Sequence, residues 1–336
     1  MNFQDNINKA KTLIQEDEDY IIFYDGKPIR THLRENLNVE MDNNFDATDY
    51  RTNTSNAYIE EIQEHAPFSP TLRIRANTSL KVIHLNENEK YIDYHIIIDR
   101  CVECRITNIY YKVTGKTKIK MDVVVGEDAK VIFKNITNAY DDLEMNITGF
   151  CLRNSDFKLD DLSMSDQKVR YQNNIYLVDE GSCCSMNNTV LNTTGKEQSY
   201  NYEIYHDAPF TTSLMKSYGI SKNNSKLIFN CRGKIAKGAK NADMRQKTKG
   251  LIMDLYSYIS ANPILEIDEN DVIANHGAAI GSLDETELYY LMSRGLTLAE
   301  SERLVINTYV APYYQDIHDE KLLTYILQEI ETQLQS

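Results

Sequence analysis

From about residue 71 to about residue 280, no apolar pattern with a helical period persists for a dozen residues, and this limits the fold more than any other feature. The segment consists of short apolar runs: Leu80–Leu85, Val123–Val125, Val131–Phe133, Ile175–Val178 and Leu227–Phe229. Polar turns such as Gly126–Lys130, Asp179–Ser182 and Ser221–Lys226 separate them. Runs rich in Val, Ile, Tyr and Phe and bounded by Gly, Asn, Asp and Ser predict many short strands. A doubly wound α/β sheet is excluded, because it needs a helical stretch between successive strands. The fold class expected is mainly β, a solenoid or a sandwich. One echo favours the solenoid: Lys130-Val-Ile-Phe-Lys-Asn135 returns 96 residues later as Lys226-Leu-Ile-Phe-Asn-Cys231. Four rungs of about 24 residues would set both on one wall of a stacked coil.

The flanks follow other patterns. Residues 1–70 form a polar mixed region, with a short helix expected over Asn6–Gln15 and a loop over Asp42–Asn53. His65-Ala-Pro-Phe-Ser-Pro70 marks its end, since each proline drives the residue before it out of helix. Residues 71–282 are the β core, and residues 283–336 read as helical. Asp284-Glu-Thr-Glu287 and Thr297-Leu-Ala-Glu300 have capping-box spacing, and Gly295 is a fitting stop. The second of these helices is expected to run to Val310 and end at Pro312. The third carries Leu323, Ile326, Leu327, Ile330 and Leu334 on one stripe, most of it expected to pack internally.

Charge narrows the partners. With 36 Lys and Arg against 50 Asp and Glu, the net charge is −14, which opposes binding to nucleic acid or to an anionic membrane. Half of that excess lies in 284–336, with ten acidic and three basic residues. The opening residues have neither a basic start nor an apolar run, so no secretion signal is read there. No apolar stretch is long enough to span a bilayer. The expected location is cytoplasmic, where the six Cys stay reduced.

No phosphate loop, zinc-protease motif or nucleophile elbow occurs, and no carboxylate pair stands out, so the chain is not read as an enzyme. Cys101-Val-Glu-Cys104 is the single C-x-x-C, and Cys183 and Cys184 could complete a thiolate set for a metal or cluster only if the fold brought them near. Residues three apart on a strand face opposite ways, so either one of the first two is exposed or the segment turns. His276 lies in Ile273-Ala-Asn-His-Gly-Ala-Ala-Ile-Gly281, where small residues admit a close backbone.

The region from about 241 to 311 resembles the C-terminal core of the SufB/SufD family, the scaffold proteins of the Suf iron–sulfur cluster assembly system. The matching residues are Gln246-Lys-Thr-Lys-Gly-Leu251, Pro263-Ile-Leu-Glu-Ile-Asp268, Asn270-Asp-Val272 and Asn275-His-Gly-Ala278. They continue as Ile280-Gly-Ser-Leu-Asp284, Glu287-Leu-Tyr-Tyr-Leu-Met-Ser-Arg-Gly295 and Ala299-Glu-Ser-Glu-Arg-Leu304. The resemblance implies a right-handed parallel β-helix with a C-terminal helical domain. It implies two partners: a SufC-like ATPase docked on the helices, and a SufB-like scaffold paired through the β-helix.

SufB-type chains resemble one another in having a Cys six residues before the Pro of this stretch, and His-Glu-Ala later. Here Ser257 and His276-Gly277-Ala278 stand in those places, which points to SufD. The same resemblance implies that His276, beside Gly277, contributes to cluster formation at the subunit interface. It implies no tightly bound cofactor but a transient iron–sulfur cluster between subunits. It assigns ATPase contact to the helical residues Leu288, Tyr290, Leu291, Arg294, Leu304, Leu323 and Leu327. The alternative is a homodimer, pairing with a second copy of itself, that carries a cluster on Cys101, Cys104, Cys183 or Cys184. Removal of 284–336 is expected to leave the β-helix folded.

Overall fold

In the computed structural model, which describes residues 3–33, 39–42 and 57–335, two facing sheets wind into one parallel β-solenoid. The first sheet begins β2 (Lys27–His32), β1 (Asp19–Tyr24), β5 (Thr78–Leu85), β7 (Glu103–Val113) and β9 (Lys130–Ala139). It continues β11 (Asp156–Ser163), β13 (Cys183–Asn192), β15 (Thr212–Ser221), β17 (Asp243–Ile252) and β19 (Ile273–Ser282). The second begins β3 (Val39–Asp42), β4 (Thr71–Ile74), β6 (Tyr91–Ile98) and β8 (Thr117–Val125). It continues β10 (Leu143–Cys151), β12 (Val169–Leu177), β14 (Glu197–His206), β16 (Lys226–Ile235) and β18 (Tyr258–Ile267). The pairs β1–β2 and β3–β4 are antiparallel, and the coil itself is parallel throughout.

Strict alternation makes each strand two-faced. On β16, Leu227, Phe229, Cys231, Gly233 and Ile235 are buried, while the residues between them are half-buried. Register then stacks like on like: Ile106, Phe133, Leu159, Met186 and Met215 occupy one row of successive rungs. On the facing wall Tyr171, Tyr200 and Phe229 form an aromatic ladder, with ring centres 5.6 and 6.0 Å apart. Each such buried side chain stabilises the fold by about 1.5–3 kcal/mol.

The 96-residue echo does not mark one wall. Lys130 opens β9 in the first sheet, but Lys226 opens β16 in the second. In-register strand starts at Lys130, Asp156, Cys183, Thr212, Asp243 and Ile273 show rungs longer than 24 residues. A strand on either wall alternates in the same way, so one repeated hexapeptide cannot identify its sheet. The true period is carried by the turns. Cys101, Asp128, Asn154, Gly181, Phe210 and Asn241, each two residues before a strand of the first sheet, all adopt positive φ.

The helices are α1 (Phe3–Lys11), α2 (Ala57–His65), α3 (Glu285–Ser293), α4 (Leu298–Tyr314) and α5 (Glu320–Gln335). The N-terminal helix thus starts earlier than expected and ends at Lys11, and most of the expected 42–53 loop lies outside the described residues. Thr297 opens α4 with a complete capping box, whereas Asp284 caps α3 through the N–H of Thr286 alone. Helix α3 stops as expected, with Gly295 at φ +100°.

Pro312 does not end α4, which continues to Tyr314. The fully buried Tyr313 donates its hydroxyl to the Asn135 carbonyl at 3.0 Å, so tertiary packing holds the last turn despite the lost N–H. The inward stripe of α5 is Leu322, Tyr325, Ile326, Ile330 and Gln333, while Leu323 and Leu334 are half-buried and Leu327 is exposed. The buried stripe is rotated by about one residue from the one the aliphatic pattern predicts, because Tyr325 and Gln333 take core positions that aliphatic side chains alone do not mark.

Helices α4 and α5 cover the outer face of the first sheet. Val305, Ile306, Val310, Tyr313, Ile326 and Ile330 share one apolar cluster with Ile83, Ile109, Ile136, Leu162, Leu191, Ile220 and Leu251 of the coil. Two buried lysines fasten the α4–α5 turn. Lys81 Nζ reaches Glu18 (2.7 Å), Asp319 (2.6 Å) and the Leu13 carbonyl (2.6 Å). Lys134 Nζ reaches Asp160 (3.0 Å) and Asp316 (2.8 Å). Removing 284–336 would bare a row of isoleucines and leucines and strip partners from two buried ammonium groups, which works against the expectation that the coil stays folded without the helices.

Candidate functional site

The last rung is open. Strands β18 and β19 are the outermost strands of their sheets at this end. β19 is exposed over nearly its whole length. Parallel pairing points successive N–H groups alternately to the two sides of a strand. Tyr258 and Asp268 bond inward to β16 through the Ser225 and Ile235 carbonyls, so the odd residues of β18 face the free edge. One of them is Pro263, which has no N–H to offer. Ile273 and Leu283 bond inward toward β17, so the N–H groups of Ala274, His276, Ala278, Ile280 and Ser282 face the free edge of β19. That edge is ten residues long and contains no proline. Long unguarded edges are templates for another strand.

His276 lies in register with the buried Gln246, on the side of β19 that continues the lumen, and is exposed because no rung covers it. A cavity of about 430 Å³ beside it is lined by Arg245, Gln246, Thr248, Asn275 and Gly277, among others. A Cβ placed on Gly277 would meet nothing within 4 Å, so a partner backbone has room to approach. One rung below, the Cys231 thiol is buried 3.7 Å from Thr248 Oγ1 and 3.8 Å from Ser217 Oγ, and burial raises its pKa.

Ser257 lies just before β18. Its hydroxyl donates to Asp254 Oδ2 at 2.7 Å and its N–H to Oδ1 at 2.8 Å. Burial opposes ionisation of Asp254, but bonds from Ser257, Tyr256 and Asn223 hold the carboxyl below its usual range. Next to this turn Leu255 and Tyr256 are almost fully exposed.

The cysteines named from the sequence are not brought together. Cys101 is exposed in a turn with φ 60°, and Cys104 is buried on β7. Both alternatives for the C-x-x-C therefore hold at once. Cys104 shares a row with Val131, Phe157 and Cys184, which separates the two thiols by three strand spacings, or about 14 Å. Cys183 is half-buried and points to the opposite face from Cys184. Burial pushes the Cys104 thiol up to about 12, so it stays protonated and a poor ligand.

Sequence reasoning missed a different group. Ligand atoms of Asp93, His95 and Asp122 lie within 4.8 Å of one another, all buried on the outer face of the second sheet. Lys120 Nζ already bonds Asp93 at 2.9 Å and also Asp122, so an ammonium supplies the positive charge there. Burial would raise both carboxyls, yet bonds from His95 and Lys120 outweigh it and hold them below the usual range. Alternation on β6 and β8 could have put these four side chains on one face, but nothing local shows that the face is covered.

The helical residues expected from the sequence to contact the ATPase divide in two. Leu288 is buried and Leu291 and Leu323 are half-buried, whereas Tyr290, Arg294, Leu304 and Leu327 are exposed. Arg294 stacks on the Tyr290 ring at 5.1 Å. Leu304, Asn307, Val310, Leu327 and Leu334 line a groove of about 410 Å³ between α4 and α5. No helix among the described residues is long and apolar enough to cross a membrane.

Residues 86–309 match the protein family described as SUF system FeS cluster assembly, SufBD core domain. The chain is 28% identical over 272 residues to the iron-sulfur cluster assembly protein SufD of Bacillus subtilis (strain 168), covering 77% of this chain and 61% of that protein. It is 24% identical over 209 residues to an iron-sulfur cluster assembly SufBD family protein of Staphylococcus epidermidis (strain ATCC 12228), covering 62% and 45%. A SufBD family protein of Staphylococcus aureus (strain USA300) is 25% identical over 199 residues, covering 59% and 43%. The chain therefore spans less than two thirds of the length of these curated relatives.

Proposed function

The chain belongs to the SufB/SufD family and is SufD-like, and from that membership we propose that it is a non-catalytic scaffold subunit for iron–sulfur cluster assembly. In this reading it pairs with a SufB-like chain through its last rung and takes a SufC-like ATPase on its C-terminal helices. The observation that carries the pairing is the open edge of β19: five N–H groups face outward on a strand that no other strand among the described residues pairs on that side. An added strand would bond them, and exposed Ile273 and Ile280 would lose water contact. Pro263 makes β18 the poorer edge, because a strand added there meets a missing donor at mid-length.

The iron–sulfur cluster is cargo in this reading. His276 brings an imidazole to the pairing edge, and iron accepts such a ligand. The remaining ligands would come from the partner, since among the described residues His276 belongs to no group of three or more His, Cys, Asp or Glu side chains. The groove at Leu304 and Leu327 and the exposed Tyr290 and Arg294 of α3 are the surface offered to the ATPase.

Co-expression with a SufC-like ATPase and a SufB-like chain, followed by affinity capture, tests both contacts. Ala278→Pro removes one outward N–H without touching the core and should release the SufB-like chain. Leu304→Glu with Leu327→Glu should release the ATPase while leaving the SufB-like chain bound. Retention of both partners by both variants would overturn the proposal.

A further inference from the structure

The chain is acidic overall, yet between Lys226 and Gly250 it has eight basic residues and one acidic one. The alternation of β17 sorts this excess by face. Met244, Gln246 and Thr248 turn into the coil, while Arg245, Lys247 and Lys249 are exposed on the outer face. Lys216 on β15 stands directly beside Lys247 in register. Arg245 is paired with Asp243 at 2.7 Å, but Lys216, Lys247 and Lys249 make no salt bridge among the described residues. Like charges opposite one another across a sheet oppose pairing. This stripe therefore costs the isolated chain stability, and its lysines have no salt-bridge partner among the described residues.

Next to the stripe the sheet is bare. The register neighbours of Arg245, Lys247 and Lys249 on β19 are Asn275, Gly277 and Ala279. A Cβ on Gly277 would find nothing within 4 Å. A strand added to β19 would lie two spacings, about 10 Å, from β17. Glutamate side chains on its outer face would cross Gly277 and Ala279 and meet the lysine ends, since a lysine stem reaches about 6 Å and a glutamate about 4 Å from the backbone. A second copy paired edge to edge would behave differently. Its own Asn275, Gly277 and Ala279 offer no carboxylate, and the two lysine stripes would face each other about 14 Å apart.

We propose that the outer face of β17 is a charge-selecting surface: the strand that joins β19 presents acidic side chains over Gly277 and Ala279 to Lys247 and Lys249, and a second copy of this chain is disfavoured there. The inference rests on the pairing through β19 proposed above. It adds the chemistry of the partner and the reason for a mixed pair over a like one.

The test measures association of the full chain with the co-expressed SufB-like chain by sedimentation at 50, 150 and 500 mM salt. The variants are Lys247→Glu with Lys249→Glu, Lys247→Gln with Lys249→Gln, and Ala278→Pro, each first checked for wild-type circular dichroism and melting. Charge reversal should weaken the mixed pair at least tenfold at 50 mM salt, with the glutamine pair intermediate and the difference mostly gone at 500 mM. Wild-type chain alone should stay monomeric, and mixing it with the charge-reversed chain should produce a dimer that Ala278→Pro abolishes. A mixed pair lost on Ala278→Pro but indifferent to lysine reversal and to salt overturns the inference and leaves the pairing intact. A mixed pair that survives Ala278→Pro overturns the pairing itself. A wild-type homodimer that Ala278→Pro dissolves also overturns the inference. So does saturable binding of tripolyphosphate that Lys247→Glu with Lys249→Glu removes while the mixed pair persists, because the stripe would then be a small-anion site.

Discussion

Asp161 offers a quantitative check on the solenoid interior. It is fully buried on β11 and faces the lumen, at the end of a chain of side-chain hydrogen bonds. His84 bonds Asn108 at 2.9 Å, Asn108 donates to Asn135 at 2.8 Å, and Asn135 donates to Asp161 Oδ1 at 2.9 Å. Among the described residues Asp161 Oδ2 has no hydrogen-bond partner. Burial raises the pKa of this carboxyl to about 7, against the opposing pull of Asn135, Tyr171 and Asn173.

A raised acid stabilises the fold below its unfolded pKa and loses that contribution as pH climbs through the folded value. The unfolded value is near 3.8, so the loss is spread from about pH 4 to about pH 7. Between pH 5 and pH 8 it amounts to about two pKa units, or about 3 kcal/mol. Asp161→Asn keeps the shape and the acceptor for Asn135 but cannot ionise. Urea unfolding of both proteins should show the wild type losing about 3 kcal/mol more than the variant between pH 5 and pH 8, with the variant the more stable at pH 8. Buried His84, its pKa lowered to about 4 by desolvation, titrates in both proteins and cancels in the comparison. Parallel pH profiles for the two proteins would refute the assignment of an uncompensated carboxyl in the lumen.

Other perturbations should separate buried from exposed contributions. Lys120→Met leaves Asp93 and Asp122 buried without their ammonium and should cost about 3–5 kcal/mol in chemical denaturation. Lys81→Met should cost less, because Glu18 and Asp319 keep some contact with water. Ile326→Ala on α5 should destabilise by about 2–5 kcal/mol, whereas Leu327→Ala one residue on should stay within about 0.5 kcal/mol and be read instead as weaker ATPase capture. Truncation after Leu283 should yield protein that binds a hydrophobic dye and aggregates, which light scattering would report; a monodisperse, cooperatively melting fragment would contradict the covering role of α4 and α5.

The runs at Leu80, Val131, Ile175 and Leu227 were legible as strands because alternation is a local consequence of the pleat. Their sheet was not legible, since both walls impose the same alternation. The rung length was written in the sequence, but in the turns: residues such as Asp128, Asn154, Gly181 and Asn241 tolerate positive φ and recur two positions before the first-sheet strands from β7 to β17. His276 and Ser257 could be singled out by motif, whereas the free edge around them could not. An edge exists only where the next strand is missing, and Ile273–Ser282 has the same length and pattern class as strands that are fully paired.

By itself, then, the sequence determined the strand-rich coil, the helical C-terminus with its caps at Asp284 and Thr297, and the acidic excess of that tail. These depend on interactions within a few residues. Tertiary structure decided the rest: that α4 runs through Pro312, that Lys81 and Lys134 are buried beneath the α4–α5 turn, and that Cys104 and Cys184 lie three rungs apart. It also decided that the basic residues of β17 form one uncovered face beside an open strand. Each of these depends on how segments eighty or more residues apart are placed, or on where the stacking stops, and no local pattern specifies that.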